Sequence, residues 1–296
     1  MISTPLRVRR AVTVLVTTSA VLVGGFSASQ AQAAAPPVPS ITAAGGFVMN
    51  NTTGTTLFGK AADTRRATGS TTKIMTAKVV LAQRGLNLDA KVTIQKAYSD
   101  YIVSKNASSA RLIVGDKVTV RQLLYGLMLP SGCDAAYALA DKFGTGSTRA
   151  ARVKSFIGKM NDEARRMGLR NTHFDSFDGI SNGANYSTPR DLTRIASSAM
   201  QNSTFRGIVR TKSTTQKVTT KTGGYRNMAW TNTNKLLSTY SGAIGVKTGS
   251  GQLAKYCLVF AATRGNKTVI GAVLASPSET NRASDVKKLL DYGFAK

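Results

Sequence analysis

Strand signals lie near both ends of this 296-residue chain and helical periodicity fills the middle. That distribution constrains the fold more than any other feature. Phe47-Val48-Met49-Asn50 and Thr55-Thr56-Leu57-Phe58 flank a turn at 51–54 and read as a hairpin. Near the other end, Ala243 to Lys247 is strand-like. Tyr256 to Ala262 and Thr268 to Ala275 face each other across Arg264-Gly265-Asn266, a hairpin turn. A last helix runs from Glu279 to Tyr292. Between these ends, Ser70 to Arg84 reads as a helix stopped by Gly85. Thr119 and Gln122 form a capping box for a helix that ends at Pro130. Asp134 opens another, Val153 to Met167 a third closed by Gly168, and Thr188-Pro189-Arg190-Asp191 a fourth. Lys91 to Ile94 is strand-like, and Tyr98 to Gly115 is polar and carries no clear pattern. The order predicts an α/β fold: an antiparallel sheet built from both termini and flanked by helices, with a mainly helical lobe over about 90–200 inserted in the sheet lobe. The cleft between the lobes is the natural place for a site.

The first residues read as a secretory signal over 1–33: Arg7, Arg9 and Arg10, then the apolar run Ala11 to Phe26, then Ala31-Gln32-Ala33 as the cleavage site. A loose tail is expected over 34–42 and one catalytic domain over 43–296. The apolar run is short for a membrane span, so no retained anchor is expected and the protein is placed outside the cytoplasmic membrane, at the cell wall. Forty Lys and Arg against fourteen Asp and Glu give a net charge of +26, or +23 without the signal arginines. Such a charge fits an anionic partner. Export argues against nucleic acid and leaves anionic wall polymers, an anionic membrane surface, or a charge that only keeps the protein soluble. Export also permits a disulfide between Cys133 and Cys257, although Cys257 in an apolar strand reads as a buried thiol.

Scarcity narrows the chemistry. The single histidine, His173, excludes a multi-histidine metal site, and no metal or cofactor is expected. Only two glutamates, Glu163 and Glu279, are available as bases. Ser70 and Lys73 share one helix face at i and i+3. A serine hydroxyl needs a neighbouring base, and a partly buried lysine amine supplies one. Ser131, on a connection between two helices, is placed to relay a proton to a leaving amine. Lys247 and Thr248 on an edge strand suit a carboxylate, Gly249 leaves room for a substrate beside the strand, and the backbone N–H groups of Ser70 and Ser250 suit an oxyanion. Lys221-Thr222-Gly223 repeats the last motif, but it lacks the apolar strand and the Trp230 to Leu237 run that precede Lys247.

Ser70-Thr71-Thr72-Lys73, Ser131-Gly132-Cys133 and Lys247-Thr248-Gly249, in that order, are the signature of penicillin-binding proteins and related β-lactamases. From Phe47 to Phe294 the chain resembles the low-molecular-mass penicillin-binding D-alanyl-D-alanine carboxypeptidase/transpeptidase family. Its Ser-Gly-Cys middle motif looks like an actinomycete type. The resemblance implies the penicillin-binding-protein/β-lactamase-like fold and acylation of Ser70 by a stem peptide ending in D-Ala-D-Ala. Water or an amine then takes the acyl group, and β-lactams act as covalent inhibitors. It implies that Cys133 stands where an asparagine amide binds substrate, and that Arg282 assists the carboxylate. No C-terminal accessory domain is expected. Two alternatives remain: a class A-like β-lactamase, which needs a glutamate base that neither Glu163 nor Glu279 suits, and a non-catalytic basic wall-binding protein.

Overall fold

The computed structural model describes residues 1–4, 11–15, 36–181 and 183–296, in two units, Met1–Ala35 and Pro36–Lys296. In the first unit the described residues form no regular element. Arg7, Arg9, Arg10, the apolar run beyond Leu15 and Ala31-Gln32-Ala33 lie outside the described residues.

In the second unit the chain starts with the hairpin β1 (Gly45–Asn50) and β2 (Thr56–Lys60), then the short strand β3 (Arg66–Ala67). A 3-10 turn, Gly69–Thr72, runs into α1 (Lys73–Leu81). There follow β4 (Lys91–Thr93), α2 (Lys96–Lys105), β5 (Lys117–Thr119), α3 (Val120–Met128), α4 (Cys133–Phe143) and α5 (Arg149–Arg166). Then come β6 (Tyr186–Ser187), α6 (Pro189–Ala199), α7 (Ser203–Arg210), β7 (Ser213–Thr219) and β8 (Tyr225–Thr231). The chain closes with α8 (Leu236–Thr239), β9 (Ala243–Gly251), β10 (Lys255–Arg264), β11 (Lys267–Ser276) and α9 (Glu279–Ala295).

The main sheet is antiparallel, in the order β2-β1-β11-β10-β9, so both ends of the chain meet in it as expected. Its central strands are buried on both faces, which is why β10 and β11 read as unbroken apolar runs. Cys257, Val259 and Ala261 face one core with Leu192 and Ile195 of α6; Leu258, Phe260 and Ala262 face the other with Val286, Leu289 and Leu290 of α9. Burying each of these larger side chains contributes about 2 kcal/mol. A Cβ at Gly271 would lie 2.5 Å from Phe47 O, so only glycine lets β11 pair with β1 there.

Three details differ from the sequence reading. The tail expected over 34–42 is fastened at its end: Ile41 is buried, and Thr42 and Ala43 donate to the Asp285 carboxylate at 2.8–3.1 Å. The inserted lobe is not bounded at 200. α6 packs on β11 and β1, whereas β7 and β8 join β4 and β5 in a second sheet of order β4-β5-β7-β8. The patternless stretch 98–115 holds most of α2, whose only buried side chain is Tyr98. No helix among the described residues is long and apolar enough to cross a membrane.

Candidate functional site

A cleft of about 1020 Å³ opens between the 3-10 turn, the bend before α4, the end of β9 and the loop that follows α5. It gathers Ser70, Ser131, Cys133, Thr248, Gly249, Ser250 and Arg282 along its walls. Lys73 and Lys247 stand immediately behind them, nearly without solvent exposure.

Ser70 sits in the 3-10 turn rather than in the α-helix expected over 70–84. Three residues per turn eclipse positions i and i+3, and Lys73 Nζ lies 2.8 Å from Ser70 Oγ. The same nitrogen donates to Asp178 O at 3.2 Å and to Cys133 Sγ at 3.3 Å. Gly69 has φ +50, and a Cβ there would lie 2.9 Å from Ser250 O, so this turn and β9 approach backbone to backbone.

Ser131 occupies the bend between α3 and α4 at φ +65, a left-handed conformation that costs a serine energy and marks a special site. Its carbonyl accepts from Ser108 Oγ at 2.6 Å. Its own hydroxyl is buried and without a partner among the described residues. Asp134 holds this bend in place. Its buried carboxylate accepts from Ser109 Oγ, Ala110 N and Leu112 N at 2.8–3.1 Å, pinning segment 109–112 to the start of α4.

Cys133 differs from its expected place between helices. It is the first residue of α4, with its thiol almost fully buried against Lys73 and Ser108. Burial pushes the thiol above its ordinary range, although Lys73 pulls the other way. Cys133 and Cys257 are both free.

On β9, Lys247 donates to Thr248 O at 3.1 Å. Burial and the neighbouring Lys73 hold it well below the usual lysine range. Thr248 Oγ1 shares a hydrogen bond of 2.6 Å with Thr233 Oγ1. Gly249 serves a different purpose from the one read in the sequence. The space a side chain would take is filled by the chain's own turn, with Thr68 O at 2.8 Å and Thr71 N at 3.0 Å. Arg282, in the first turn of α9, bonds Cys257 O and Glu279 Oε1 at 3.4 and 3.2 Å; burial lowers its basicity.

The second Lys-Thr-Gly, at 221–223, lies on the exposed turn between β7 and β8, away from the cleft. His173 is exposed and makes a backbone bridge to Tyr186. Glu163 is paired with Lys78 and Arg166 rather than facing the cleft. Sequence reasoning missed Ser108, Asp178, Asn185 and Thr233. Asn185 ties the turn down, donating to Thr68 Oγ1 and Thr72 Oγ1 at 2.7 and 2.9 Å. None of the four has a spacing that announces it, because they reach the site from three segments far from Ser70 in the chain: Ser108 after α2, Asp178 and Asn185 in the loop before β6, and Thr233 after β8.

A serine with an adjoining buried lysine, a hydroxyl from the other lobe and a lysine-bearing edge strand define an acyl-transferring serine hydrolase. The D-alanyl-D-alanine carboxypeptidase profile matches residues 30–278. The D-alanyl-D-alanine carboxypeptidase of Streptomyces sp. (strain K15) is 71% identical over 98% of this chain and all of that protein. The crystal structure of the Streptomyces K15 DD-transpeptidase superposes with a TM-score of 0.87 at 77% identity, covering 88% of this chain and 100% of that one. DacF of Bacillus subtilis is 32% identical over 82% of this chain, which spans 60% of that relative's length. The chain belongs to the D-alanyl-D-alanine carboxypeptidase family. It is a serine-type, penicillin-binding hydrolase with the penicillin-binding-protein fold, and the β-lactamase and non-catalytic alternatives give way to that assignment.

Proposed function

We propose that Ser70 is the nucleophile and Lys73 its base, and the 2.8 Å contact between them carries this reading. Lys73 Nζ in its neutral form takes the Ser70 proton as Oγ bonds to the carbonyl carbon of the penultimate D-Ala. The negative charge on the carbonyl oxygen is met by the N–H groups of Ser70 and Ser250; one such donor contributes about 3 kcal/mol. The C–N bond then breaks. Ser131 passes its proton to the leaving amine and is reprotonated by Lys73, and free D-Ala departs. The unpartnered Ser131 hydroxyl supports that role. Lys247, Thr248 and Arg282 hold the terminal carboxylate. A buried lysine whose charge is disfavoured gains most from an arriving anion. Water or an amine attacks the ester carbon and gives up a proton to Lys73, which returns it to Ser70 Oγ as the bond between Oγ and the acyl carbon breaks. Cys133 lines the wall without replacing the hydrogen-bonding amide of asparagine.

The test is a diacylated peptide ending in D-Ala-D-Ala, incubated with and without glycine. The expected result is D-Ala release by the wild type, a glycine-capped product when glycine is present, and neither with Ser70→Ala. Equal slow release by both proteins would overturn the assignment.

Export through cleavage of 1–33 is part of the same reading. N-terminal sequencing of secreted protein is expected to begin at Ala34 or at a neighbouring residue; an intact Met1 would contradict it. An anionic, phosphate-bearing wall polymer fits the open face of the second sheet. Val92, Val118 and Val218 point inward, so Lys91, Lys117 and Lys217 share the outer face with exposed Tyr225. Replacing the three lysines with serine is expected to abolish salt-sensitive sedimentation with phosphate-bearing walls; unchanged sedimentation would exclude this face.

A further inference from the structure

A residue that takes no part in the proposed steps holds the amine beside the nucleophile through its main-chain carbonyl. Asp178, in the loop after α5, has no solvent exposure. Its Oδ2 accepts from Tyr101 Oη at 3.0 Å and its Oδ1 from Ile180 N at 2.9 Å, while its carbonyl oxygen accepts from Lys73 Nζ at 3.2 Å. The next residue locks the loop onto the turn that carries Ser70. Gly179 has φ +93, and a Cβ there would lie 1.9 Å from Gly69 O.

The three partners of Lys73 Nζ are not equivalent. Ser70 Oγ and Cys133 Sγ can each donate or accept, but the Asp178 carbonyl can only accept. It therefore fixes one N–H of the amine and turns the remaining valences toward Ser70 and Cys133. The carbonyl is in turn fixed by its own side chain, clamped between Ile180 N and Tyr101. The Tyr101 ring packs on Phe177 and Tyr137 at 5.5 and 5.4 Å between centroids. Burial and the Asp178 charge hold its phenol well above the usual tyrosine range, so it remains a donor.

We propose that Asp178 and Tyr101 are positioning residues that aim Lys73 at Ser70 and so set the rate at which Ser70 is acylated. The groups facing Lys73 are Ser70 from the turn, Cys133 from α4, Asp178 from the loop and Lys247 from β9. The positioning role rests on the assignment of Ser70 and Lys73 made above.

The experiment measures the limiting rate of acylation by benzylpenicillin per active site, and kcat and KM for a D-Ala-D-Ala peptide, for wild type, Asp178→Asn and Tyr101→Phe, with thermal unfolding of each. Asp178→Asn disturbs the clamp that holds the Asp178 carbonyl against Lys73 and is expected to lower the limiting rate about tenfold. Tyr101→Phe is expected to lower the limiting rate about tenfold, with KM for a D-Ala-D-Ala peptide within about twofold. A loss of structure alone would lower the unfolding temperature and the active fraction while leaving the rate per active site in place, and that result overturns the proposal. If the wild type itself forms no adduct on Ser70, the underlying assignment fails instead.

Discussion

Substituting Gly249 by alanine tests how the edge strand and the nucleophile are held together. The added Cβ would lie 2.8 Å from Thr68 O and 3.0 Å from both Thr71 N and Thr71 Cγ2, where ordinary contact begins near 3.4 Å. Strand β9 and the Ser70 turn would have to part by about half an ångström, since the nearest obstacles are mostly backbone. Overpacking of this kind costs about 1–3 kcal/mol of stability. The larger effect falls on catalysis. Lys247, Thr248 and the Ser250 N–H ride on the strand, while Ser70 rides on the turn, so the separation stretches the distance between bound carboxylate and nucleophile. A misplacement approaching 1 Å can cost about a hundredfold in rate, and half of that is expected to cost about tenfold. The assay is the second-order rate of acylation by a fluorescent penicillin, with unfolding followed by circular dichroism. A rate within twofold of wild type would refute the argument that glycine is needed for the strand to reach the turn.

Other substitutions probe other parts. Lys247→Met is expected to cut acylation by about a hundredfold and to raise the unfolding temperature by about 2–4 °C. Because the buried lysine titrates below its ordinary value of 10.5, the stability gain should be full at low pH and vanish as pH rises toward 10.5; a pH-independent gain would contradict it. Asp141 is buried, and its carboxyl is held below its ordinary 3.8. Burial alone would raise it, but hydrogen bonds from Arg152, Tyr98 and Arg149 prevail. Asp141→Asn is expected to cost about 2 kcal/mol in urea unfolding at pH 7. A group depressed on folding contributes above its unfolded value and loses that contribution as pH falls through the folded one, so the difference should shrink below about pH 4. Burial raises both thiols, Cys257 to about 11, so iodoacetamide at pH 7.5 is expected to label neither cysteine until the protein unfolds; rapid native labelling of Cys133 would contradict its buried position.

The main sheet was legible because β10 and β11 are buried on both faces and α9 follows them with a clear helical pattern. β7 and β8 were not. Ser213, Thr215 and Lys217 alternate with Thr214 and Gln216, so polarity has no period, and only Val218, Met228 and Trp230 are fully buried. The same absence of contrast hid α2. In the site, Ser70 and Lys73 were legible because three residues of local chain bring them together. Asp178 was not, because it meets Lys73 across 105 residues through its carbonyl, a group every residue carries. Cys133 shows the limit of motif reading: its position in the series was evident, but the burial of its thiol depends on Ser108 and Lys73, which approach from other segments.

The central claim is that acyl transfer passes through Ser70 Oγ with Lys73 beside it. Incubation with benzylpenicillin, digestion and peptide mass spectrometry test it most directly. One penicilloyl group per chain is expected on the peptide that carries Ser70, absent from Ser70→Ala and formed far more slowly by Lys73→Met. A penicilloyl group on Cys133, or none on a wild-type protein that still releases D-Ala, would contradict it.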